Sequence, residues 1–182
     1  MKGLSSVYAF LPCLLLGAFI PLSCLHNGLA MNPKDRSAVE VIYKGASCPS
    51  EEAEAHVRWI TSRDALESVW QAIHRSRVGL AVPSVPDVDF TSHGVLLVHM
   101  GTKTTGGYAI ELADATFAVK EQAATVSVDW LVPPSDRVVP QVMTTPCLIL
   151  KLIKGDYKRI DVVDRKGIVR VSTDMKAATN SD

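Results

Sequence analysis

Five histidines, His26, His56, His74, His93 and His99, are the side chains best suited to acid–base or metal chemistry near neutral pH. No two of them follow a metal-binding helix spacing, and no Cys-x-x-Cys pair occurs, so no metal centre is expected. His99 sits inside the apolar run Gly94–Met100 (GVLLVHM). A histidine there is expected to be a core or face residue satisfied by one hydrogen-bond partner. A serine hydrolase would need a context such as Gly-x-Ser-x-Gly, which is absent. The stretch Gly101-Thr102-Lys103-Thr104-Thr105-Gly106-Gly107-Tyr108 has the glycine spacing of a phosphate loop. It lacks the Lys-Ser/Thr pair that must follow, which rejects phosphate binding. No catalytic residue and no cofactor are therefore expected.

That same stretch is still the most unusual in the chain. Its paired glycines lie between two strand-like segments, where glycine permits positive φ and close backbone approach. Two readings stand: a tight hairpin, or a partner-binding loop presenting main chain together with Thr104, Thr105, Gly106, Gly107 and Tyr108. Cys48 and Cys147 form the other pair of note, being the two cysteines that lie beyond the apolar leader. They are either a disulfide or two buried thiols, a choice that sequence leaves open.

The elements that must hold these groups follow from an exported layout. Lys2 precedes sixteen uncharged residues, Val7–Leu22, which are short for a bilayer span and contain Pro12 and Pro21. A basic start, a short apolar run and Gly28-Leu29-Ala30 describe a signal peptide over residues 1–30, cleaved after Ala30. Lipoprotein processing with a lipid anchor at Cys24 is the competing reading. Residues 31–37 read as a flexible lead-in, 38–171 as a single domain, and 172–182 as a loose tail. An oxidising compartment favours the disulfide. Lys plus Arg is 19 and Asp plus Glu is 19, and this neutrality argues against a nucleic-acid partner.

Within the domain, Val39–Tyr43 and Val57–Ile60 read as strands. Thr61-x-x-Asp64 resembles a capping box opening a helix whose Leu66, Val69, Trp70 and Ile73 form one apolar stripe suited to a sheet. Gly94–Met100 reads as a strand buried on both faces, followed by strands near 108–112, 116–119, 125–130 and 147–153. Gly155-Asp156 looks like a two-residue hairpin turn joining Cys147–Ile153 to Tyr157–Val163. The expected fold class is α+β: a mostly antiparallel sheet or sandwich with one main amphipathic helix packed on it.

The residues now carry a resemblance. Val88-Asp89-Phe90, the strand ending in Gly101, Lys103–Ile110, Val132-Pro133-Pro134 and Thr144-Thr145-Pro146-Cys147 resemble the C-terminal domain of PrcB-type protease-complex subunits. The likeness spans about Val57 to Val163, with proline usual in the family where this chain has Thr104. It implies an exported bacterial domain, periplasmic or at the cell surface, acting as a non-catalytic accessory subunit or partner of an envelope protease. It supplies no established binding residues. A weaker similarity links Thr104–Tyr108 to the loop of chagasin-type cysteine-protease inhibitors, without their Asn-Pro. That similarity implies an inhibitor, and a small hydrolase is the remaining alternative.

Overall fold

The computed structural model describes residues 36–50, 52–75 and 81–175. The expected signal peptide, its cleavage at Ala30, the Cys24 anchor and the end of the tail lie outside the described residues. Nine strands and one helix occur among those described: β1 (Arg36–Gly45), β2 (His56–Ile60), α1 (Arg63–His74), β3 (His93–His99), β4 (Ala109–Leu112), β5 (Thr116–Lys120), β6 (Ala123–Leu131), β7 (Cys147–Ile153), β8 (Arg159–Asp164) and β9 (Val169–Asp174).

The strands form one sheet in the order β2-β3-β7-β1-β5-β6-β8-β9, with β4 also paired to β6. All pairings are antiparallel except β6 with β8. β1 joins the two halves of the sheet. Residues 36–38 pair with β5, and residues 39–45 pair with β7 past a bulge between Val41 and Tyr43. Strand twist accumulates along such an order, and the edges β2 and β9 return beside each other. The result is a nearly closed, barrel-like, mostly β domain.

This corrects the α+β expectation. The helix stripe is real, but twelve residues cover only part of one sheet face, whereas the main core fills the inside of the curled sheet. Successive β3 and β7 side chains divide between two clusters. Leu96, Val98, Leu148, Leu150 and Leu152 enter the inner core with Phe117, Val126 and Ile160. Val95, Leu97, Cys147 and Ile149 meet Leu66, Val69 and Ile73 of α1 on the outer face. The two-face burial expected of Gly94–Met100 is therefore what the sheet shows. Helix α1 is capped by Ser62, whose Oγ accepts from Ala65 N, rather than by Thr61. Such a cap contributes about 1 kcal/mol. Trp70 is buried and donates Nε1–H to Pro83 O at 2.8 Å.

Two hairpin expectations fail. β7 pairs with β1 and β3, and β8 pairs with β6 and β9, so Gly155-Asp156 begins a crossing between sheet halves and not a hairpin. Likewise β3 and β4 do not pair, so Gly101–Tyr108 is a crossover. β9 includes Ser172 to Asp174, residues that read as polar tail by composition. The strand is held by ionic partners: Arg170 bonds Asp164, and Ser172 Oγ donates to Asp161.

Candidate functional site: a clamped corner and a histidine groove

Loop 101–108 is clamped by the irregular arm that links β6 to β7, residues 132–146. Lys103 and Thr144 exchange main-chain hydrogen bonds of 2.8 and 2.9 Å. Gly106 N donates to Pro140 O at 2.9 Å, and Thr144 Oγ1 donates to Thr105 O at 3.0 Å. Gly106 is buried under Pro140, where an added Cβ would find ordinary contact at 3.4 Å. Gly107 differs. Its φ is +90°, and an added Cβ would stand 2.9 Å from Pro133 Cβ. Glycine is required there by both conformation and space.

The five loop residues named from sequence thus share one corner but not one role. Thr104 and Gly107 are exposed, Thr105 and Tyr108 half-buried, and Gly106 buried. Tyr108 packs against the inner core, and Lys103 Nζ lies 5.7 Å from its ring centroid.

What the sequence reading missed is the arm itself. Val138 is 97% exposed, Met143 70%, Val132 59% and Val142 53%. Leu131, at the end of β6, adds to the same apolar margin. Single exposed apolar residues need no explanation, but here four fall within one irregular segment. The signal was present as Val and Met residues among Pro133, Pro134, Pro140 and Pro146, with neither strand nor helix period.

A second concavity lies on the outer face of β2 and β3. Its volume is about 630 Å³, and its lining includes Pro49, Glu52, His56, Arg58, Leu97 and His99. Alternation within the strands brings these groups together: His56 and Arg58 share one face of β2, as Leu97 and His99 share one face of β3. The register sets His56 opposite His99, and their rings stack with centroids 4.6 Å apart. His99 is buried, yet its Nδ1 has no hydrogen-bond partner, which corrects the expectation of a satisfied core histidine. Burial above all, then the nearby His56 and Arg58, lowers the His99 pKa to about 4. His99 is therefore neutral at pH 7. His56 Nδ1 lies 3.1 Å from Glu54 O and 3.5 Å from Glu52 Oε2. Ser50 Oγ is engaged with the main chain of Glu52.

Cys48 and Cys147 form a disulfide, with Cα atoms 5.9 Å apart. Cys147 pairs with His99 across β3 and β7, so the bond fixes Pro49 as the groove wall next to the histidine. Among the described residues no group of three or more His, Cys, Asp or Glu is placed to hold a metal ion. None of the described helices is long and apolar enough to cross a membrane.

Residues 95–152 match the family model described as PrcB C-terminal. The match bears out the family resemblance, over a narrower span than Val57–Val163. The matched stretch runs from β3 to β7, and so contains loop 101–108 and arm 132–146 entire. It contains Leu97 and His99 of the groove but not Glu52, His56 or Arg58. No curated protein and no solved structure matches the chain.

Proposed function

We propose that this chain is a non-catalytic protein-binding module, exported to the periplasm or surface of a bacterium, and an accessory subunit or partner of an envelope protease. The observation that carries the reading is the apolar arm. Four side chains, Val132, Val138, Val142 and Met143, face solvent from a segment hydrogen-bonded to loop 101–108. Exposed apolar area on a fixed backbone favours association, because little conformational entropy is lost on docking. The PrcB C-terminal match supports a protease-associated role, and the disulfide is compatible with export.

An inhibitor that wedges loop 104–108 into a protease cleft has less support, since Thr144 and Pro140 hold that loop against the domain. A small hydrolase would draw on the histidine groove. There Ser50 Oγ bonds the Glu52 main chain, and His99 is stacked on His56 and buried. Photo-crosslinking from position 138 in native envelopes tests the main reading. A specific adduct with a protease-complex chain that Met143→Asp abolishes is expected. Turnover of peptide or ester substrates by the purified chain, or labelling unchanged by Met143→Asp, would overturn it.

A further inference from the structure

Independently of the arm, we propose that the β2–β3 groove is a binding site for a carboxylate carried on an apolar body. The groove has two connected parts. The larger contains His56 and Glu52. The smaller, about 230 Å³, reaches beneath α1 and is lined by Val69, Ala72 and Ile73. Arg58, Leu97, His99 and Pro49 line both parts and so mark their junction. Together the two chambers fall in the size range of small-ligand sites.

Each part selects for a different portion of a ligand. Along α1 the Ser68 hydroxyl is taken up by Asp64 O, and Val69, Ala72 and Ile73 offer aliphatic walls that suit a hydrocarbon or leucine-like stem. At the junction stands Arg58, exposed and without an acidic or hydrogen-bond partner among the described residues. A guanidinium presents paired donors that match a carboxylate bidentately. Beside it lies His99, nearly excluded from solvent with Nδ1 unpartnered. A buried polar atom without a partner costs free energy that a suitable ligand can recover. Glu52 on the far side discourages a second negative charge, which favours a monoanion over a phosphate dianion. The wall at Pro49 is fixed by the Cys48–Cys147 bond, so the cleft is held open before a ligand arrives.

The carboxylate could belong to a free organic acid or to the C-terminus of a peptide. The test uses the whole chain, disulfide intact and isotopically labelled for NMR. Octanoate and N-acetyl-leucyl-leucine are each titrated against their primary amides. Both the His99 ring and Arg58 Nε signals are expected to move with an acid, and the amide should bind at least tenfold more weakly. Tighter binding of octanoate assigns the site to free acids, and tighter binding of the dipeptide assigns it to chain termini. Arg58 is on the surface, so Arg58→Gln should fold normally and weaken the acid at least tenfold, with partial recovery in Arg58→Lys. Equal binding of acid and amide, an unchanged affinity in Arg58→Gln, or no shift at His99 at millimolar acid would each overturn the proposal.

Discussion

The clamped corner and the histidine groove solve opposite problems with the same sheet. At the corner, main-chain hydrogen bonds fasten the arm to the loop and apolar side chains are left outside. In the groove, apolar side chains are covered by α1, and it is polar groups, His99 Nδ1 and the Arg58 guanidinium, that lack partners among the described residues. The first arrangement favours broad contact with another protein surface. The second favours a small ligand with a defined charge. The contrast shows that a surface's function is better read from which class of group it leaves unsatisfied than from its shape.

Removing the disulfide should separate the two regions most strongly. Replacing both Cys48 and Cys147 by serine should cost about 4–5 kcal/mol for a loop of this length, seen as a lower urea midpoint. The damage should concentrate at Pro49 and the groove, with amide protection at 103–107 less affected. Equal loss of protection at both would erase the distinction.

Acid should act next, again through the groove. The His99 ring is protonated near pH 4 when folded and near 6.5 when unfolded. Between these values the unfolded chain binds more protons, so stability falls as pH drops from about 6.5 to 4. The total is on the order of 3 kcal/mol. Urea titrations at pH 7 and 4.5 measure it, and His99→Gln should flatten that part of the profile.

The glycine pair gives a smaller, internal contrast. Gly107→Val forces a side chain into positive φ against Pro133, and a loss of about 1–3 kcal/mol is expected. Gly106→Ala should cost less than about 1 kcal/mol, since its new methyl only touches Pro140. Equal losses would mean that the corner tolerates less than its geometry implies.

Least of all should be the effect on folding of Val138→Asp, within about 0.5 kcal/mol because the side chain touches solvent. The same change should abolish partner capture while leaving octanoate binding in the groove intact. A change in octanoate affinity would show that the two surfaces are coupled.

Much of this was legible from the residues. The near-continuous apolar run Gly94–Met100 marked β3, alternation marked β6, and the stripe Leu66, Val69, Trp70, Ile73 located α1 and its buried face. Partner choice between strands was not legible. Gly155-Asp156 has the local chemistry of a hairpin, but the inner faces of β7 and β8 meet across the core instead of edge to edge. Sheet closure escaped for the same reason, being a sum of twists over many pairings. The groove depended on one register, His56 opposite His99, which no single strand encodes. Gly107 stood out in sequence as backbone freedom, and the structure adds the proline that demands it.

The bond between Cys48 and Cys147 also closes a covalent ring around α1, β2 through β6 and the whole apolar arm. A single cut by an endopeptidase anywhere inside that ring would leave both pieces tethered and the central β7 strand in place. For a chain proposed to work at a protease's side, nicking its most accessible segment need not mean losing the domain.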